Sequence, residues 1–142
     1  MHPSKEFLSA IENLHLLLSI TQPLKVDEVV SFLLDGQEIN ITEYPLGKLL
    51  IFANLPKEFS PTAEVFSQQN MFSQNATKPV LGKDEKIQSW VLWSRSDINH
   101  ADAISLEEQL ISISETLDQI WLKESTKLDG IQISDSDKYL IV

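Results

Sequence analysis

The apolar positions of this chain fall into two rhythms. From about Ser4 to Ser19, Phe7, Ile11, Leu14 and Leu18 recur at helical spacing and form one stripe, with Ser4 placed to cap the first turn. Leu16 lies on the opposite face and Leu17 on a flank, so this helix is greasier than one buried side requires. Pro23 ends it. The period then shortens to two. Glu28 to Leu34 and Gln37 to Glu43 read as strands joined by Asp35-Gly36, a pair suited to the positive φ angles of a tight type I′ hairpin turn. In the second strand Ile39 and Ile41 alternate with Asn40 and Thr42, which leaves one face wet. "YPLG", Tyr44 to Gly47, makes another turn, and "KLLIFA", Lys48 to Ala53, is a third strand, apolar on both faces.

Ser60-Pro61 predicts an N-cap followed by proline at the first helical position, opening a short helix with Val65 and Phe66 that stops near Asn70. "KPVLG", Lys78 to Gly82, is a short strand, and Ile87 to Ser94 is another. In that last strand Trp90 and Leu92 point one way, and Val91 and Trp93 the other. Ser105 and Glu108 form a capping box, after which Leu106, Leu110, Ile113, Leu117, Ile120 and Trp121 line one helical stripe. From Lys123 the chain turns polar and Ser/Asp-rich before closing on "YLIV". The reading is one domain, residues 1–122, followed by a flexible tail, residues 123–142. The fold class is α+β: one five-stranded, mostly antiparallel twisted sheet, with a helix at each end of the chain and a short middle helix, in the order α-β-β-β-α-β-β-α.

Composition narrows the function classes. The 142 residues include 11 Lys plus Arg against 21 Asp plus Glu, a formal net charge of −10. Such a field repels nucleic acid and anionic lipid, and makes a basic or apolar partner the easier expectation. There is no cysteine, which removes disulfides, thiolate nucleophiles and Cys-type zinc sites and fits a reducing cytosol. "LHLLLSI", Leu14 to Ile20, is too short to span a bilayer, and the N-terminus lacks the basic region and cleavage site of a signal peptide. No membrane insertion is expected.

Candidate chemistry is sparse. His2 lies near the terminus, His15 at the edge of an apolar helix face, and His100 near Asp102 without a third ligand. Gly47-Lys48 lacks the flanking residues of a phosphate loop, and neither G-x-S-x-G nor G-x-G-x-x-G occurs. Asp84 and Glu85 are loop carboxylates, whose ordinary state is solvated. The sequence therefore reads as a protein that is not an enzyme and needs no cofactor or metal. What it does offer is more apolar strand and helix surface than two helices can cover. Leftover apolar patches imply a protein partner, a second copy of the chain, or both.

"ITEYPLGKLLIF" (Ile41 to Phe52), "NMFSQ" (Asn70 to Gln74), "KPVLG", "WVLWSR" (Trp90 to Arg95) and the amphipathic helix from Ser105 occur in an order and spacing that resemble the class I type III secretion chaperones. The likeness is closest to the branch serving the YopE effector and covers roughly residues 4 to 122. The resemblance implies a cytoplasmic bacterial homodimer that binds the N-terminal segment of a secreted effector and keeps it export-competent without ATP. It implies dimerisation through the middle helix and the strand after it, here Val65, Phe66, Val80 and Leu81. The expected effector groove comprises Leu16, Leu17, Phe32, Leu49, Ile51, Trp90 and Leu92. A rival reading, an acidic inhibitor or immunity-type protein capping a basic partner, explains the charge but not the apolar strands; a small enzyme with a carboxylate site at Asp84 and Glu85 ranks third.

Overall fold

The computed structural model describes residues 4–20, 28–100 and 102–132. Helix α1 (Lys5–Leu17) is followed by strands β1 (Val29–Leu34), β2 (Gln37–Glu43) and β3 (Lys48–Asn54). Helix α2 (Ala63–Gln69), strands β4 (Val80–Asp84) and β5 (Ser89–Asp97), a 3-10 turn at Ile98–His100 and helix α3 (Ala103–Gln132) complete the chain. The order α-β-β-β-α-β-β-α agrees with the pattern of the sequence. The strands form one five-stranded antiparallel sheet in the order β1-β2-β3-β5-β4.

Local signals explain most boundaries. Ser4 caps α1, its hydroxyl accepting from the Phe7 N–H at 3.1 Å. The helix ends at Leu17, with Ser19 at φ 53°; the expected stop at Pro23 lies outside the described residues. Asp35 and Gly36 both take positive φ, 52° and 79°, the backbone of a type I′ turn. Two caps are corrected. Thr62, not Ser60, caps α2 and accepts from the Val65 N–H at 3.1 Å, because Phe59 is drawn into the core before the helix can begin. Asp102, not Ser105, caps α3. Its Oδ1 accepts from the Ser105 N–H at 2.8 Å, and a carboxylate is the better acceptor at the positive end of a helix. Those bonds from the Ser105 N–H and hydroxyl, with one from the Ile104 N–H, hold the Asp102 carboxyl below the usual carboxylate range against a smaller opposing effect of desolvation.

β4 and β5 start two residues later than the sequence pattern suggests. Pro79 has no N–H for a ladder, and its carbonyl is already taken by Gln69 Nε2 at 2.6 Å. α3 continues through Gln132, beyond the boundary at 122/123, so the tail's first ten residues, 123–132, extend the helix. Residues 133–142, with "YLIV", lie outside the described residues.

The core sits on one face of the sheet. Val30, Ile39, Ile41, Leu49, Ile51, Ala53, Leu81 and Leu92 share that face and are buried under α1 and α3, whose Phe7, Ile11, Leu14, Leu106, Leu110 and Ile113 complete the cluster. Side-chain hydrogen bonds tie α3 to the sheet across this interface: Gln109 Nε2 donates to Ser94 Oγ at 3.1 Å, Gln37 Nε2 to Asp118 Oδ1 at 3.0 Å, and Ser114 Oγ to Gln37 Oε1 at 3.3 Å. α2 is seated by Asn70, whose side-chain amide pairs with the main chain of Leu81, donating at 2.8 Å and accepting at 2.6 Å.

Candidate functional site

Among the described residues no helix packs on the other face of the sheet. The register sets out its side chains in rows: Thr42, Leu50 and Arg95; then Asn40, Phe52, Trp93 and Val80; then Asn54, Val91 and Gly82. Leu50, Phe52, Val91 and Trp93 are each half-buried by one another, and the exposed Tyr44 and Leu46 of the β2–β3 turn stand over one end. Together they bound an open groove of about 770 Å³. Gly82 is part of the construction. A Cβ there would lie 3.2 Å from Trp93 Nε1, so glycine is what lets the indole lie across β4. On the other side of Trp93, the Arg95 guanidinium sits 5.1 Å from the ring centroid, a cation–π contact.

Carboxylates edge this groove, each with partners of its own. Glu43 accepts from the Gly47 N–H at 2.9 Å and the Ser4 N–H at 3.4 Å, tying the start of α1 to the turn after β2. Partial desolvation pushes its carboxyl up, but the hydrogen bonds from Gly47 and Ser4 together outweigh it and hold the group below the usual range. Asp84 accepts from the Lys86 N–H at 2.9 Å. Among the described residues no group of three or more acidic or histidine side chains is arranged to hold a metal ion, and no helix is long and apolar enough to cross a membrane.

The residues expected to form the groove divide into three sets. Leu49, Ile51 and Leu92 are 0% exposed and belong to the core under the helices, which corrects their placement as a docking surface. Phe32 and Trp90 are partly buried on that same side, Trp90 meeting Phe66 edge-to-face at 5.7 Å. Leu16 and Leu17 are exposed at the end of α1. The alternation is thus one residue out of phase with the expectation, and Leu50, Phe52, Val91 and Trp93 carry the open face. The signal was present in the sequence as two apolar faces per strand; which face the helices take is a matter of packing.

Of the expected dimer residues, Val65 and Leu81 are buried in their own chain at 7% and 3% exposure, whereas Phe66 is 39% exposed and Val80 half-buried. Beside them the α2–β4 connection presents Met71 and Phe72, the latter 88% exposed. This is a second apolar surface, which meets the groove face at Val80 in the row of Phe52 and Trp93.

Residues 9–120 match the Tir chaperone protein (CesT) family. The YopE regulators of Yersinia enterocolitica and of Yersinia pestis are each 34% identical over 104 residues, 73% of this chain and 80% of theirs. A chain of the ExoT–SpcS complex from Pseudomonas aeruginosa superposes with a TM-score of 0.73 at 26% identity, covering 82% of this chain and 98% of that one. A chain of the HopA1–SchA chaperone–effector complex shares the fold, with a TM-score of 0.69 at 18% identity, over 81% of this chain and 92% of that one. Family match, relatives and fold agree, and the chain belongs to the Tir chaperone (CesT) family.

Proposed function

We propose that this chain is a type III secretion chaperone that binds an N-terminal, non-globular segment of a secreted effector and keeps it soluble and export-competent. The observation that carries this reading is the uncovered apolar sheet face, Leu50, Phe52, Val91 and Trp93, in a member of a chaperone family. Its relatives are named for regulating YopE, and its fold recurs in structures of chaperone–effector complexes. Burying each large apolar side chain of an incoming segment contributes about 1.5–3 kcal/mol, so a few anchors offset the ordering of a disordered chain. Binding of this kind runs at equilibrium in the bacterial cytoplasm, with neither ATP nor catalysis. Two copies act together, joined through the α2–β4 surface at Phe66 and Val80, so that one segment can span both grooves.

The test is co-purification from the native bacterium with the full chain as bait, read by mass spectrometry and by the native mass of the complex. The expected result is a secreted protein held through its N-terminal hundred or so residues, with two copies of this chain per partner, in a complex that tolerates salt. A folded basic partner in an equimolar complex that dissociates in salt would overturn the reading in favour of an inhibitor.

A further inference from the structure

The β2–β3 turn is pinned at its root and bare at its tip. Gly47, at a positive φ of 88°, is the pivot: its N–H donates to Glu43 Oε2 at 2.9 Å, and its carbonyl accepts from the Ile98 N–H at 3.0 Å. Main-chain bonds close the turn, the Tyr44 N–H donating to the Lys48 carbonyl at 3.0 Å and the Lys48 N–H to the Pro45 carbonyl at 2.9 Å. Beyond these anchors Tyr44 and Leu46 are 59% and 81% exposed, yet both line the groove with Leu50, Phe52, Val91 and Trp93.

Of these anchors only the Glu43 bond comes from a side chain, so it is the one a substitution can remove directly. Glu43 also reaches a second element. Its Oε1 accepts from the Ser4 N–H at 3.4 Å, where α1 begins, so the turn is referenced to α1 as well as to its own hairpin. A carboxylate suits this position, because it accepts from both N–H groups at once and charge-assisted bonds are the stronger kind. An amide accepts through one oxygen and turns its own N–H groups toward the second donor.

We propose that Glu43 is a positioning residue for effector binding, fixing the β2–β3 turn so that Tyr44 and Leu46 stand as a preformed wall over an apolar side chain of the bound segment. The proposal rests on the chaperone reading above. Two large apolar side chains held in water gain by being covered, and a segment lying in the groove covers them. A wall fixed in advance also spares binding the cost of ordering it. Freed from Glu43, the turn keeps its main-chain bonds but loses the tie that sets its tip relative to α1.

The test is a nuclear magnetic resonance titration of the ¹⁵N-labelled full chain with a blocked hexapeptide carrying two leucines among serines, binding being read at the Leu50, Phe52, Val91 and Trp93 amides. Glu43→Gln is expected to weaken binding at least threefold and to lower the heteronuclear Overhauser effect at the Leu46 and Gly47 amides. Asp102→Ala, which removes the cap of α3 and controls for lost stability, should change neither. Tyr44→Ala combined with Leu46→Ala should also weaken binding, and adding Glu43→Gln to that pair should weaken it no further, because Glu43 acts through those two side chains. Equal affinity of wild type and Glu43→Gln, or an undiminished effect of Glu43→Gln in the truncated turn, would overturn the proposal. So would a wild-type chain whose groove amides the peptide leaves unmoved. The chaperone reading fails separately: an effector captured equally well by wild type and Glu43→Gln sustains that reading while removing this role for Glu43.

Discussion

Leu92 and Trp93 are adjacent on β5, yet one is sealed under the helices and the other lies on the open face. Their substitutions should separate stability from binding. Leu92→Ala removes a fully packed side chain and is expected to cost about 2–5 kcal/mol in urea unfolding. Val91→Ala, on the half-buried face, should cost about 1 kcal/mol or less while weakening effector binding measured by calorimetry. Gly82→Val forces a Cβ toward the Trp93 indole at 3.2 Å; the expected outcome is a shifted tryptophan emission and weaker binding with the fold retained. Glu43 makes a pH prediction. Its folded carboxyl is held below its unfolded value, so its contribution is complete above the unfolded value and is lost as pH falls through the folded one. Wild type should therefore exceed Glu43→Gln in stability at neutral pH, and the two melting curves should converge in acid.

At the scale of elements, the end groups of the helices decide where they begin. Thr62→Ala leaves the Val65 N–H without its acceptor and is expected to cost about 0.5–2 kcal/mol in thermal unfolding, loosening α2 against β4. The hairpin β1–β2 was legible because Asp35-Gly36 is local chemistry, and positive φ at both residues follows from it. The caps of α2 and α3 were less legible, since Ser60 and Ser105 each have a competitor within three residues. Thr62 prevails once Phe59 is buried against Trp121, 5.5 Å away edge-to-face, and Asp102 prevails because a charged acceptor meets the helix terminus better than a hydroxyl. The late start of β4 has a similar origin, in a proline carbonyl claimed by a glutamine of α2.

For the whole molecule, the described helices α1 and α3 cover one side of the sheet and leave apolar surface at the groove and at the α2–β4 flank. The proposed dimer uses the flank. Replacing Phe66 and Val80 together by Asp should give a monomer by light scattering, because both side chains reach the surface, whereas a charge at Leu81 would enter the core and unfold the chain. An unchanged dimer mass for the double variant would remove this interface.

The sequence by itself determined the element order, the hairpin, the capped first helix, the long amphipathic helix and the family likeness, because period, turn chemistry and motif order are written in neighbouring residues. Its double-faced apolar strands also showed that some surface would be left over. Only the tertiary structure decided which surface. KLLIFA and WVLW are apolar on both sides, and nothing local distinguishes Leu49, Ile51 and Leu92 from Leu50, Phe52, Val91 and Trp93. The choice was made by α1 and α3, which together cover one face of the sheet, and by Gly82 and Arg95, which brace Trp93 on the other. A side chain's burial depends on what the rest of the chain lays over it, and strand alternation fixes the two sets without saying which is covered.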